Sequence, residues 1–423
     1  MRLLYVFTDL PDQPGTFSFA EVEAMAERGF QVEILCLRSR LADGAGARSL
    51  RARFPVHAAP YVSVPVLGAC LRGFIRHPLR ALGLIVRSVV DTWNSPRILI
   101  KTVAILPKAF WFAERIRGDA GDVRLHAFWA SLPARAAWAI ARMSDLPYDT
   151  WAHAGADIYN RRHQSEPALR TVLSDAHLIL TCNRANLPYF ERILPVDALR
   201  RVHYHPHGVD LERFRPHRGE TIPPRDAEAP LTLLSVGRLS LAKGFQHAIE
   251  ACALLRERGV DFEYRIVGDG PLRESMAATI QSRSLGDRVI LLGALDQSEL
   301  PDLYRASDAL LAPSIIGPAG ARDGLPNVVV EAMACGIPCI GSDTVGIPEA
   351  VRTGETGILV PPGDAAGLAD AMQRLAEDRG SCRRMGEAAH AWVTQEFARP
   401  ACMDRLSRLL LDAQESAGRH AAS

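Results

Sequence analysis

At 423 residues the chain exceeds what one hydrophobic core ordinarily serves, so two domains of about 200 residues each are expected. A composition with 48% hydrophobic and 23% charged residues belongs to a packed globular protein and excludes a fibrous or largely disordered chain. The formal net charge of only +1 excludes a global field that would select a polyanion, and no nucleic-acid partner is expected.

The chain opens on an apolar strand, RLLYVFT (2 to 8), with neither a long apolar core nor a small-residue cleavage site, so no signal peptide is expected there. An amphipathic helix at 19 to 29, closed by Gly29, and a second strand at 31 to 37 begin a β-α-β alternation, which predicts a parallel sheet with helices on both faces.

Residues 61 to 117 break this rhythm. They hold nine basic residues (Arg72, Arg76, Arg80, Arg87, Arg97, Lys101, Lys108, Arg115, Arg117) against Asp91 and Glu114, a local excess of +7. Four of them, Arg72 to Arg87, recur at roughly helical spacing among Leu, Ile, Val and Phe, with Trp93, Phe110, Trp111 and Phe112 toward the end. Two readings fit: helices lying in an anionic membrane surface, or a helical cover over the first sheet with a solvated basic face. The apolar content on more than one side favours the membrane. No run reaches the roughly 18 apolar residues of a spanning helix.

His126 follows VRL, and WAHAGADIY (151 to 159) carries His153 and Asp157 just past an aromatic strand, at its carboxyl edge. A capping or core role is the alternative for each histidine. The polar, Pro-rich stretch 217 to 230 lacks periodicity, and after it strand and helix signals restart at LTLLSVG (231 to 237). The expected organisation is a first domain over 1 to 210, with 61 to 117 as its helical insert. A second domain follows over 211 to 396, then a closing helix and tail over 397 to 423 that can pack back on the first. The fold class is α/β, two doubly wound Rossmann-like domains facing a cleft, with ligands at the carboxyl ends of the strands.

In the second domain, SVGRLSLAKGF (235 to 245) sets Gly237 and Arg238 at a strand end, and Lys243 and Gly244 before a helix. Free amides and the dipole at a helix start favour an anion, and two cations there suit a diphosphate, although a solvated surface loop is the plainer reading. Downstream, DGLPNVVVEAMACG (323 to 336) carries Asp323 and Glu331 at the two ends of a loop and helix start. Cys335 and Cys339 have no second Cys or His pair at zinc spacing, and no Asp-x-Asp stands near a ligand-facing loop, so no metal is expected.

Taken in order, GRLSLAKG, VGDGPL (267 to 272), VILLGAL (289 to 295), DGLPNVVVEAMACGIPCIGSDTVGIPEAV (323 to 351) and GILVPPGD (357 to 364) resemble the donor-binding domain of retaining glycosyltransferases of family 4, of the exopolysaccharide and colanic-acid type, with the GT-B fold. The first half resembles it more thinly, through PGTFSFAEVEAMAERGFQVEIL (14 to 35), RLHAFWASLPARAAW (124 to 138) and WAHAGADIY. The resemblance implies that Arg238 and Lys243 neutralise the leaving diphosphate. Glu331 would accept hydrogen bonds from the ribose hydroxyls, as an acceptor-only carboxylate can. Gly268, Gly270 and Leu292 belong to walls of the base pocket, and Gly15 and Gly237 to loops near the diphosphate.

Asp323 stands where the family has the first glutamate of an E-x7-E motif. It is expected to orient the transferred sugar, with nucleophile and helix cap as alternatives, and Gly324, Leu325 and Asn327 offer amides beside it. His153 is expected against donor sugar or transition state, and Thr16, His126 and Asp157 in the acceptor half of the cleft. His207 is expected to be structural.

The resemblance implies a nucleotide-sugar donor as co-substrate without cofactor or metal. The membrane reading of 61 to 117 implies an acceptor linked to polyprenyl diphosphate, and eight cysteines scattered without a paired framework, read as reduced thiols, point to a cytoplasmic enzyme, peripheral to the inner face of the cell membrane. A soluble transferase with a small-molecule acceptor, a nucleotide-sugar epimerase and a catalytically silent partner subunit are the alternatives.

Overall fold

The computed structural model describes residues 1–13, 16–38, 42–116, 122–160, 164–216 and 229–422, so Gly15, Arg117 and most of the 217 to 230 stretch lie outside the described residues. Contacts divide the chain into two units: Met1–His207 with Cys402–Ser423, and Gly208–Ala401.

Among the described residues the first unit holds seven parallel strands: β1 (Arg2–Phe7), β2 (Gln31–Cys36), β3 (Val56–His57), β4 (Val123–Ala127), β5 (Tyr148–Trp151), β6 (Leu178–Thr181) and β7 (Val202–Tyr204). Their order is β3-β2-β1-β4-β5-β6-β7, a doubly wound arrangement in which the winding reverses between β1 and β4. Strands covered on both faces require near-continuous apolar sequence, and β1 meets this, with Leu3, Leu4, Tyr5 and Val6 at 0% exposure.

Strand β4 does not meet it. Its VRLHA carries Arg124 and His126, both fully buried, so their charges need partners inside the fold. Arg124 makes a two-pronged ion pair with Asp149 of β5, and its remaining guanidinium nitrogen donates to Gln414 Oε1 of the closing helix (Arg399–Ala422) at 3.0 Å. Register sets His126 beside Tyr5 and Asp149. His126 Nε2 lies 3.2 Å from Glu21 Oε1, which also accepts from the Tyr5 hydroxyl at 3.1 Å and Trp151 Nε1 at 3.3 Å.

Between β3 and β4 run three helices, Val64–Arg76, Pro78–Thr92 and Pro96–Ile116. Their inner faces join the core under the sheet through Val66, Ala69, Ala81, Leu84 and Ile105. The aromatic cluster expected at a membrane is corrected here: Phe110, Trp111 and Phe112 are buried in this core, and only Trp93 stands out, 72% exposed. The arginines are also engaged. Arg72 bonds both oxygens of Glu114 at 2.7 Å, Arg76 lies 3.7 Å from the same carboxylate, Arg80 pairs with Asp145 at 2.7 Å, and Arg87 with Asp91 at 3.0 Å.

Among its described residues the second unit holds six parallel strands: β8 (Leu231–Val236), β9 (Phe262–Val267), β10 (Val289–Gly293), β11 (Ala309–Ala312), β12 (Cys339–Ser342) and β13 (Gly357–Val360). The order β10-β9-β8-β11-β12-β13 repeats the doubly wound pattern, reversing between β8 and β11. Side chains from both faces close two cores, one around Leu233, Tyr264 and Leu311, the other around Leu310, Met333 and Cys339.

Candidate active site

In an open parallel sheet the crevice at the carboxyl ends of the strands, where the winding reverses, is the natural ligand position. In the second unit that point lies past β8 and β11. Past β8 the chain passes Gly237 and an exposed Arg238, makes one short turn (Leu241–Lys243), and enters the helix Phe245–Glu257 at Gly244. The sequence places Lys243 and Gly244 before that helix, and the structure starts it at Phe245, directly after Gly244, which is left-handed (φ +67°). A Cβ there would sit 1.8 Å from the Pro313 carbonyl oxygen, so glycine is required twice over, by backbone angle and by space.

The adjoining loops interlock. Gly237 donates its amide to Val267 at 2.9 Å, Gly268 to Gly293 at 2.7 Å, and Leu239 to Asp269 at 2.9 Å, so the ends of β8, β9 and β10 are laced together. Gly268 (φ +136°) approaches so closely that a Cβ would fall 1.9 Å from the Gly237 oxygen. Gly270 belongs to the same interlock, and Leu292 lies on the edge strand β10, 36% exposed. The side chain of Lys243 folds back over Gly237.

Past β11 the chain supplies the acids. Lys243 Nζ lies 3.0 Å from Asp323 Oδ2, and the Ser314 hydroxyl donates to that oxygen at 3.3 Å. Lys243 and Asp323, expected to address phosphate and sugar separately, are thus an ion pair. Arg238 has no such carboxylate among the described residues and remains an exposed cation. Gly324 and Leu325 lead through Pro326 to Asn327, the first residue of the helix Asn327–Ala334, whose start carries no side-chain cap.

Glu331, one turn into that helix, accepts the Tyr304 hydroxyl on Oε2 at 2.9 Å. Desolvation raises its pKa above the usual carboxylate range, against the Tyr304 hydrogen bond and the charges of Arg213 and Arg399. Burial, then the charge of Glu331, pushes the Tyr304 phenol well up, so it stays a donor. Tyr304 is fully buried and was not legible as a site residue: one tyrosine in a short helix ahead of β11 carries no pattern.

In the first unit His153 and Asp157 do meet. Asp157 Oδ2 lies 3.0 Å from His153 Nδ1 and accepts the His153 amide at 3.3 Å, which fixes the ring and leaves Nε2 without a protein partner among the described residues. Asp157 sits in a short π-helix (Gly155–Tyr159), a local widening that is often retained at functional positions. The His153 ring lies among Trp129, Trp151 and His207 at centroid distances of 4.3, 5.3 and 5.0 Å. His207, expected to be structural, is part of this aromatic stack, 4.3 Å from Trp151. Thr16 precedes the helix Phe17–Glu27, and its hydroxyl bonds to the Gln13 carbonyl at 3.2 Å instead of capping it.

His126 requires a correction. It was expected beside the acceptor, but at 0% exposure, between Glu21 and Asp149, it is part of the buried charge network. Burial opposes its protonation, but the carboxylates of Asp149 and Glu21, 3.9 and 3.2 Å from its ring nitrogens, prevail and raise its pKa to about 9.

The likeness to known proteins agrees with this geometry. The fold is that of GT-B glycosyltransferases. Over 97% of the chain and 100% of the other, it matches the Anabaena protein Alr3699/HepE, solved in complex with UDP, with a TM-score of 0.69. It matches sucrose-phosphate synthase from Thermosynechococcus elongatus over 100% of both chains with a TM-score of 0.71. Each is 19% identical in sequence, so these likenesses concern the fold.

Residues 221–392, which lie within the second unit, match the family model "Glycosyl transferases group 1". Over 207 residues the chain is 38% identical to the putative colanic acid biosynthesis glycosyltransferase WcaL of Salmonella typhimurium, covering 48% of this chain and 49% of the relative. Over 204 residues it is 36% identical to the amylovoran biosynthesis glycosyltransferase AmsK of Erwinia amylovora, again covering 48% and 49%. The chain spans about half the length of the curated relatives it matches.

Proposed function

We propose that the protein is a retaining glycosyltransferase, moving a sugar from a nucleotide-sugar donor to a lipid-linked glycan in exopolysaccharide or cell-surface polysaccharide biosynthesis. The observation that carries the reading is the convergence, at one sheet reversal, of Lys243 with Asp323 and of Glu331 with Tyr304. In this reading Glu331 receives the ribose hydroxyls on Oε1, since Oε2 is taken by Tyr304. Arg238 and Lys243 stabilise the charge growing on the departing diphosphate, where electrostatic catalysis acts most strongly, and no resident metal takes part.

Asp323, oriented by Lys243 and Ser314, addresses the hydroxyls of the transferred sugar. Attack comes from the face the diphosphate leaves, through an oxocarbenium-like ion pair, and the diphosphate takes the acceptor proton. His153 is aligned by Asp157 at the carboxyl edge of the first unit's own sheet, and that unit binds the acceptor.

The WcaL and AmsK relatives, named for colanic acid and amylovoran biosynthesis, support a surface-glycan acceptor, and HepE, solved with UDP, makes UDP-sugars the first donors to try. An acceptor carried on polyprenyl diphosphate implies a protein peripheral to the inner face of the cell membrane, held by the basic helical insert.

The test is a panel of nucleotide sugars assayed for nucleotide release, with membrane extract as acceptor and with the metal chelator EDTA in parallel. Release from one donor, dependent on extract and indifferent to EDTA, is expected. Release without any acceptor-linked product would sink the transfer reading, and dependence on divalent metal would remove the charge role given to Arg238 and Lys243.

A further inference from the structure

Two helices of the first unit's insert carry outward apolar rows. On Val64–Arg76 the row is Val64, Leu67, Leu71 and Ile75. On Pro78–Thr92 it is Leu79, Leu82, Val86 and Val90. Steps of three and four residues keep each row on one helical face. Exposure reaches 86% at Val64, 83% at Leu79 and 71% at Ile75. The opposite faces are already used in the core, so the rows are a second apolar side and not a misplaced first one. A soluble monomer rarely leaves so long an aliphatic surface in water.

Charge and chemistry select the occupant. From residue 62 to 103 the chain has six basic residues and a single acid, Asp91, which is buried against Arg87. Four of the six are paired with carboxylates, and a second copy of the chain would bring the two exposed cations left among the described residues, Arg97 and Lys101, against their own like. Protein interfaces favour Tyr, Trp and Arg anchors, whereas these rows are Val, Leu and Ile, with one aromatic, Trp93, just past the end of the second helix. Arg97 and Lys101, on the helix that follows, are suited to extend toward phosphate headgroups while their stems stay in apolar surroundings. No described helix is long and apolar enough to cross a membrane.

We infer that the helix pair 64–92 seats in the boundary between headgroups and acyl chains of a lipid bilayer, anchored chiefly by its aliphatic rows. This deepens the membrane part of the proposed function and corrects its driving force. Arg72, Arg76, Arg80 and Arg87 are engaged with the protein's own carboxylates, so headgroup attraction is secondary.

Flotation of the full chain with vesicles of phosphatidylcholine alone, and of phosphatidylcholine mixed with phosphatidylglycerol, tests it. Binding to both is expected, stronger with phosphatidylglycerol and largely kept at high salt. Leu71→Glu combined with Leu82→Glu should lower partitioning about tenfold or more, and Arg97→Gln with Lys101→Gln only a few-fold. Brominated lipid should quench part of the wild-type tryptophan fluorescence, and that part should vanish in Trp93→Phe.

Failure to float, binding only to phosphatidylglycerol with release by salt, or unchanged binding of the leucine variant would each overturn the inference. So would a wild-type dimer that the leucine variant dissociates, which would assign the rows to a second copy. Nucleotide release in detergent solution reads the transfer reaction separately: activity without flotation rejects the anchor alone, and flotation without activity rejects the transferase reading alone.

Discussion

Lys243 and Asp323 face each other at 3.0 Å at the carboxyl edge of the second sheet, joining a cation expected for phosphate to an acid expected for sugar. Each therefore sets the other's position. Removing one leaves a partly buried charge without its counterpart, which raises the cost of losing either.

Lys243→Ala should lower nucleotide release about 100- to 1,000-fold, the scale of losing one preorganised electrostatic group. A catalytically silent subunit would instead keep its cellular role. Asp323→Glu moves the carboxylate outward by about one C–C bond, roughly 1.5 Å, toward Lys243. Competition between two UDP-sugars should then show altered donor preference, with the thermal melt nearly unchanged.

Tyr304→Phe deletes only the hydroxyl that holds Glu331. The loss of one hydrogen bond to a charged group, about 1.5 to 3 kcal/mol, should raise the donor KM roughly 10- to 100-fold while kcat changes little. The Tyr304 hydrogen bond lowers the Glu331 pKa against desolvation, so its removal should move the acid limb of the kcat/KM profile to higher pH. A pure packing role for Tyr304 would change stability and leave that limb where it was.

Gly244→Ala places a Cβ against the Pro313 oxygen and demands a left-handed alanine. A destabilisation of about 1 to 3 kcal/mol is expected, read by urea unfolding. Donor binding measured by calorimetry should weaken as well, because Lys243 is carried on the same turn.

His126 predicts a stability that depends on pH. Its folded pKa is raised from the ordinary imidazole range to about 9. Protonation therefore favours the folded state: the contribution is fully present below the unfolded pKa and is lost as pH rises through 9. The thermal midpoint of the wild type should fall by several degrees between about pH 6 and pH 9.5, and that of His126→Gln should fall less. Equal slopes would remove the charge role given to His126 beside Glu21 and Asp149.

Much of the second unit is legible in the chain, because parallel strands buried on both faces must be apolar runs and turns such as Gly237 and Gly244 must be glycine. The cation and acid positions follow from those turns by short sequence distances. Partners far apart in the chain do not. Tyr304 and Glu331 are 27 residues apart and Arg124 and Gln414 are 290, and nothing local marks either pair.

By itself, then, the sequence determined the two α/β units, the loops that end their strands, and the residue types available there, since these depend on local periodicity and backbone geometry. Only the tertiary structure decided which charges meet. It took His126 out of the candidate site and into a buried network, tied the insert's arginines to carboxylates, and left aliphatic rows facing outward. A side chain's exposure and partners are settled by packing between distant segments, and no spacing within one segment encodes them.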